Sequence, residues 1–259
     1  MEIHGVTSVE GHVAAALYDL VHVPQCPVHR YPYVFYIGDY SRVLYAGFIA
    51  EEKKCWDKLF KCIVFKEDCN ADCVSEALEA IKSISVYKWD TIKETLDKLS
   101  SSVEKLHRKI REKYIEYMDR IFGFKKYFKE VHVIYGFNPL GGLMGSMLYW
   151  DEERVVVSSF TKPSMEAEQV LDLVYHEVLH GLFRLNKINV PSDVEETIID
   201  TLMPEGFLSK ILGLAKDVKK PSKDNITAMV RAYFEEKLYE KNIRLIEYLN
   251  TRSRVSYRF

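Results

Sequence analysis

The sequence contains a short run of residue types that together can hold a metal ion and move a proton. His176 and His180 stand four positions apart, and Glu177 directly follows the first of them. On a helix, side chains at positions i and i+4 lie one above the other, so both imidazoles can reach a single ion. Glu177 projects about 100° further round the helix axis. The run therefore predicts a divalent-metal site with a carboxylate placed to take a proton from bound water.

Zinc suits this set of donors. Imidazole and carboxylate ligands that leave one position open allow zinc to lower the pKa of a bound water molecule to about 7. We therefore expect one Zn²⁺ ion and a nucleophile that exists at neutral pH. A motif of five residues can also arise by chance, in which case the two histidines are ordinary helix residues.

The residues around the motif predict the helix that it needs. Ser164 is the expected N-cap, and Glu166 and Glu168 follow near the positive end of the helix dipole. Apolar residues then recur at spacings of three and four, as in a helix half buried against a core. They are Leu171, Val174, Val178, Leu182 and Leu185.

A third ligand is expected from a second helix, because no histidine follows His180 in the sequence. This helix is predicted over residues 191–203, where Glu195 and Glu196 compete for the role. Ser192 and Glu195 have the spacing of a capping box, in which the glutamate turns back to the backbone amide of the N-cap. The capping pattern favours Glu196 as the ligand.

The two motifs together resemble those of the zincin metallopeptidases of the gluzincin, or thermolysin-like, clan. In that clan an H-E-x-x-H helix is followed by a second helix with E-x-x-x-D, and here Glu196-x-x-x-Asp200 follows after fifteen residues. The resemblance implies that zinc is bound by His176, His180 and Glu196. It also implies that Glu177 is the general base and that Asp200 accepts a hydrogen bond from the other ring nitrogen of His176.

The resemblance implies an α+β, zincin-like fold, in which a small mixed β-sheet is combined with a backing helix, an active-site helix and a helical C-terminal subdomain. Residues 1–75 would form an N-terminal mixed α/β extension or lobe. Residues 76–187 would form the upper subdomain with the sheet and the active-site helix. Residues 188–259 would form the helical lower subdomain that carries the glutamate helix.

Strands are predicted ahead of the active-site helix. Residues 131–135 alternate and are rich in β-branched and aromatic types, and residues 145–150 and 154–159 flank a polar turn, as in a hairpin. By resemblance, the first hairpin strand is a free edge to which the backbone of a substrate adds. The side chains that would line the cleft are Met147, Leu148 and Tyr149. The alternative is an ordinary sheet hairpin without a binding role.

Periodicity predicts the remaining elements. Apolar spacings of three and four indicate one long helix, or two nearly collinear helices, from about 88 to 122. Two further helices are expected over 207–218 and from 226 to about 249. Near the N-terminus, residues 34–38 and 42–48 are predicted as two strands joined by a turn.

A peptidase also needs a donor that stabilises the oxyanion of the tetrahedral intermediate. A histidine cannot serve after His180, so the resemblance directs attention to tyrosine. Tyr233 is the candidate that we select, with Tyr239 and Arg231 as neighbours in sequence. The alternative for each of them is a core or surface role.

Composition narrows the classes of partner. The 259 residues suffice for a sizeable core, and 36 basic against 38 acidic residues give no reason to expect nucleic acid or a membrane surface as partner. No apolar stretch approaches about eighteen residues, and no export signal is visible, which predicts a cytoplasmic protein. Free thiols are expected for the five cysteines in preference to a metal cage, with a disulfide as the alternative.

The sequence thus predicts a zinc metallopeptidase that hydrolyses a peptide or protein substrate through Glu177-assisted attack of zinc-bound water. One alternative is a catalytically silent or regulatory binding protein on the same scaffold. Another is a metal-dependent hydrolase of a non-peptide amide. Residues 142–146 lack the G-x-M-E-N signature of one aminopeptidase group, while the choice between internal and terminal cleavage and the oligomeric state stay open.

Overall fold

A four-stranded mixed sheet organises the fold in a computed structural model that describes residues 1–22, 40–137, 144–162, 164–219 and 224–252. Its strands are β1 (Glu2–Val6), β2 (Glu130–Phe137), β3 (Met144–Trp150) and β4 (Arg154–Thr161). The spatial order is β1-β2-β4-β3, in which β2 pairs in parallel with both β1 and β4, and β3 is antiparallel to β4. The predicted hairpin is thus confirmed, and its first strand lies at an edge of the sheet.

The described helices include those predicted around the metal motif. They are α1 (Val9–His22), α2 (Tyr40–Glu52), α3 (Trp56–Phe65), α4 (Asp72–Lys82), α5 (Trp89–Phe122), α6 (Ala167–Leu185), α7 (Ser192–Leu202), α8 (Phe207–Leu212), α9 (Asn225–Glu235) and α10 (Leu245–Arg252), with a 3₁₀-helix (Leu238–Lys241) before α10. The long predicted helix is the single helix α5. The motif helix and the glutamate helix are α6 and α7. No helix within the described ranges is long and apolar enough to cross a lipid bilayer.

Helices cover both faces of the sheet. Val155 and Val157 of β4 pack on one side into a core shared with α5, α6 and the C-terminal helices. Val156 and Phe160 face the other side and pack against α1 to α4. Because successive strand residues point to opposite faces, a strand covered on both sides is apolar along its whole length. Helix α6, which carries the metal motif, is therefore fixed between the sheet and the C-terminal helices.

The N-terminal prediction of two strands is wrong where the structure describes it. Residues 42–48 lie in helix α2, and residues 34–38 lie outside the described ranges. Ala46, Ile49 and Ala50 are buried while Tyr45 and Phe48 are exposed, which is helical spacing. The pattern becomes clear only when residues after 48 are included. The N-terminal segment instead gives the sheet one strand, β1, which pairs with β2.

The C-terminal helices are shorter than predicted. Helix α8 ends at Gly213, which has φ +80°, so the helix expected over 207–218 stops early. The helix expected from 226 to 249 divides into α9, the 3₁₀-helix and α10. Lys237 and Asn242, with φ of +51° and +58°, bound the 3₁₀-helix. Residues in the left-handed region cannot continue a right-handed helix, and hydrophobic periodicity does not reveal them.

The cysteines are only partly free thiols. Cys62 and Cys69 form a disulfide, whereas Cys55 and Cys73 are free. The chain reverses between α3 and α4 and brings the two bonded residues to a Cα–Cα distance of 4.8 Å. The expectation of free thiols is therefore wrong for this pair. Cys26 lies outside the described residues.

His12 lies in the core between the sheet and helices α1 to α4 and has no polar partner among the described residues. It is fully buried on α1, with its ring between those of Trp89 and Phe160 at centroid distances of 5.4 and 5.6 Å. Burial disfavours the charged imidazolium and lowers the pKa of His12 to about 4. The ring is therefore neutral in the folded protein at neutral pH.

We expect His12→Leu to change how stability depends on pH. In the unfolded chain His12 binds a proton with the ordinary pKa of 6.5, whereas in the folded protein it binds one only as the pH approaches 4. Protonation of the unfolded chain at His12 therefore lowers the free energy of unfolding as the pH falls through this window, by about 2 to 3 kcal/mol between pH 7.5 and 4.5. Urea denaturation at both pH values should show that the free energy of unfolding of the variant, relative to the wild type, is higher at pH 4.5 than at pH 7.5 by this amount. A difference between variant and wild type that does not change with pH would contradict the assignment.

Candidate metal centre

Helix α6 presents the two histidines from a well-anchored position. Glu166 is its N-cap, and the capping box that it forms with Gln169 begins the helix two residues beyond the predicted cap, Ser164. From Val170 onward most residues of α6 are buried. His176 and His180 then lie one turn apart with 8% and 14% of their side chains exposed. Their positions are set by packing along the whole helix.

Helix α7 brings Glu196 to the histidines. Its Oε1 lies 3.8 Å from His176 Nε2, and its Oε2 lies 3.4 Å from His180 Nε2. One ligand atom from each of the three residues lies within 4.8 Å of the others. Two ligands of a tetrahedral zinc ion, each about 2.0–2.1 Å from the metal, are separated by roughly 3.3 Å. The three residues therefore fit a single ion after a small contraction.

Both imidazoles are held in the tautomer that binds a metal. Nδ1 of His176 lies 2.8 Å from the backbone oxygen of Met203, and a carbonyl oxygen can only accept, so Nδ1 carries the proton. Nδ1 of His180 lies 2.7 Å from Oε1 of Glu195, to which it donates in the same way. Each Nε2 is then left with a free lone pair, and both lone pairs are directed at the centre that Glu196 completes.

The role of Glu195 differs from the prediction. Pro191 occupies the N-cap position of α7, and no side chain caps that helix. Glu195 instead turns its carboxylate, 14% exposed, to His180. Glu196 does lie at the centre, as predicted, although the capping argument that selected it is wrong. Glu195 is a supporting residue that sequence reasoning missed.

Asp200 does not support His176 as predicted. Its Oδ1 is 4.0 Å from Nδ1 of His176, too far for a hydrogen bond, and 3.8 Å from Nζ of Lys219. The carbonyl of Met203 takes the position instead. A backbone carbonyl has no signature in the sequence, because its placement depends on the path of the chain after α7.

Glu177 lies beside the centre with 8% exposure. It packs against strand β3, where a Cβ atom added to Gly145 would lie 3.1 Å from its Cγ. Burial raises the pKa of Glu177 to about 7, with His176 opposing the shift and the negative charges of Asp19 and Glu196 contributing to it. A carboxyl group with a pKa near neutrality can both accept and return a proton at neutral pH.

Only one of the three predicted substrate-binding residues, Met147, packs against helix α6. The sulfur of Met147 accepts a hydrogen bond at 3.3 Å from Nη1 of Arg184, which lies in the last turn of α6. Leu148 and Tyr149 are 3% and 6% exposed and belong to the core beneath α1 to α4. An irregularity in the pairing of β3 with β4 lies between Met147 and Tyr149. The assignment of Leu148 and Tyr149 to the cleft is therefore corrected.

Tyr233 is not placed to act on a substrate. It is fully buried, and its hydroxyl donates to the backbone oxygen of Ile243 at 2.7 Å. Tyr239 is 7% exposed, and Arg231 pairs with Glu235 on the same helix. The two tyrosines belong to the core between the C-terminal helices, and Arg231 lies at the surface. The donor for an oxyanion is thus not among the residues that we selected from sequence.

We expect three substitutions in α7 to have different effects on zinc affinity, because only Glu196 is placed as a ligand. Glu196→Gln removes a charged ligand and should weaken zinc binding most. Glu195→Gln replaces the anionic acceptor of His180 and should weaken binding by about 10- to 100-fold. Asp200→Asn, a matched change on the same helix, should have little effect because Asp200 bonds to neither histidine. Zinc titration calorimetry measures all three. An Asp200→Asn loss equal to that of Glu195→Gln would contradict the assigned partners.

Comparison with known proteins gave no matching protein family, no matching curated protein and no matching solved structure. Any functional conclusion therefore rests on the geometry of the site.

Proposed function

We propose that this chain is a zinc-dependent metallopeptidase. The observation that carries the proposal is the convergence of three donors, His176 Nε2, His180 Nε2 and the Glu196 carboxylate, with both histidine tautomers fixed. The donor set is the kind that zinc takes in catalytic sites, where three protein ligands leave a position for water or substrate. A purely structural zinc site closes that position with a fourth ligand.

The chemistry divides between the ion and the chain. Zinc would lower the pKa of a water molecule and polarise the carbonyl group to be attacked. Glu177 would take the proton from that water and later give it to the leaving amine. Its burial and its packing against Gly145 of β3 restrict where the carboxylate can lie. A silent or regulatory scaffold has no need of a buried carboxyl at this point, and this supports the catalytic alternative.

The edge strand supports a peptide as substrate. Strand β3 is at the end of the sheet, and its Gly145 packs against Glu177. An extended peptide that paired with this edge would run beside Glu177, because main-chain hydrogen bonds hold such a peptide parallel to the strand. A small non-peptide amide would use the same three ligands but would draw no affinity from β3.

The decisive prediction concerns Glu177→Gln. The variant should bind zinc as the wild type does, because Glu177 is not a ligand, while peptide hydrolysis falls by about 10²- to 10⁴-fold or more with loss of the base. Digestion of a peptide library, followed by mass spectrometry, with zinc content measured in parallel, tests both statements.

The control is Glu168→Gln, a charge-matched change near the start of the same helix, which should leave both properties unchanged. Full activity in Glu177→Gln would exclude the assigned role. Loss of zinc from that variant would show that Glu177 is needed to hold the metal and is not only a base.

A further inference from the structure

The turn that joins α7 to α8 is held at two points by helix α6. The first point is the hydrogen bond from His176 Nδ1 to the backbone oxygen of Met203, at 2.8 Å. The second is the hydrogen bond from the backbone N–H of Glu205 to Oδ2 of Asp172, also at 2.8 Å. Asp172 and His176 lie one turn apart on α6 and therefore on the same face. One face of the metal-binding helix thus holds residues 203 and 205 together.

Asp172 has no role in the chemistry described above, yet it is among the most buried charged side chains of the site region. It is 1% exposed, and Ser209 beside it is fully buried. The Ser209 hydroxyl donates to Oδ1 of Asp172 at 2.6 Å and accepts from the backbone N–H of Gly206 at 3.1 Å. Both oxygens of this carboxylate are therefore hydrogen-bonded to the turn or to the first residues of α8. A buried carboxyl group is stable only with such partners, so Asp172 and the turn depend on each other.

The backbone of the turn needs this support. Glu205 has φ +57°, in the left-handed region that residues other than glycine rarely occupy. Such a conformation persists where surrounding contacts determine it. The hydrogen bond to Asp172 falls on the N–H of this same residue. Without this hydrogen bond, the backbone of the turn is less restrained, and the Met203 carbonyl is held less firmly toward His176.

We propose that Asp172, with Ser209, is a positioning residue for the metal centre. It acts through the turn, because a fixed Met203 carbonyl keeps the proton of His176 on Nδ1 and leaves Nε2 free. It also ties the end of α7, which carries Glu196, to the helix that carries the histidines. Asp200 cannot replace the carbonyl from its distance of 4.0 Å. The inference rests on the metal-binding part of the proposed function.

Two measurements test this inference. In the metal-free protein, ¹⁵N NMR of the histidine rings reports which nitrogen of His176 carries the proton. Asp172→Asn should give a mixture of the two tautomers where the wild type gives the Nδ1–H form. Ser209→Ala, a milder change that guards against misfolding of the first variant, should shift the population in the same direction. Zinc affinity should fall by about 10- to 100-fold in Asp172→Asn, as for other hydrogen-bond partners of metal ligands.

Leu212→Ala is the control for a purely structural role. Leu212 is 5% exposed in the same short helix as Ser209, so its truncation destabilises α8 without removing a hydrogen bond from the turn. This variant should keep the wild-type tautomer and zinc affinity despite a lower melting temperature. Equal losses of affinity in Leu212→Ala and Asp172→Asn would overturn the inference. An unchanged tautomer of His176 in both Asp172→Asn and Ser209→Ala would overturn it too.

Failure of the proposed function looks different. A wild-type protein that binds no zinc would contradict the metallopeptidase proposal. The tautomer measurement on the metal-free protein would still decide whether Asp172 positions His176.

Discussion

A histidine nitrogen binds a metal only while it carries no proton, and this requirement governs how the two helices of the site are placed. Each imidazole needs an acceptor behind it that holds its proton on the far nitrogen. For His180 that acceptor is Glu195, and for His176 it is the carbonyl of Met203. Both acceptors come from α7 or from the turn after it, and α7 also supplies Glu196. The packing of α7 on α6 therefore determines both the position of the candidate ligands and the tautomers of the two histidines.

Burial of α6 gives this arrangement its rigidity. The helix lies between the sheet and the C-terminal helices, and Val174, Val178 and Leu182 on it are fully buried. Gly145 in β3 permits close approach on the other side, because a Cβ atom there would lie 3.1 Å from Cγ of Glu177. Glu177 is thus packed against the edge strand itself. Close packing that excludes water from Glu177 is also what raises the pKa of its carboxyl group.

The sequence predicted those features that depend on side-chain type and periodicity. Apolar spacings of three and four located α5 and α6, because burial of one helix face leaves a regular apolar pattern. Alternation and residue type located β2, and the polar turn between two apolar runs located the hairpin. The pairing of His176 with His180 followed from helical spacing, whereas Glu196 was preferred to Glu195 by a capping pattern that the structure does not contain.

The missed features depend on the path of the backbone. The Met203 carbonyl and the φ of Glu205 have no side-chain signature, and the break at Lys237 falls within an otherwise helical pattern. Tyr149 was assigned to the cleft by analogy with the edge strand of the resembled clan, and Tyr233 because related enzymes use a tyrosine, whereas the structure buries both of them in the core. Residue type reports what a side chain can do, and only the packing determines whether it reaches the site.

The balance of charge around the centre gives an independent reason to expect a cation. Glu177, Glu195 and Glu196 surround the two histidines, and within the described part of the chain the ion pairs of Glu195 and Glu196 are with those same rings. The rings are neutral when their Nε2 atoms are free to bind a metal, so they cannot then offset the carboxylates. A divalent ion at the meeting point of the three ligands would neutralise charge that the neutral imidazoles leave uncompensated.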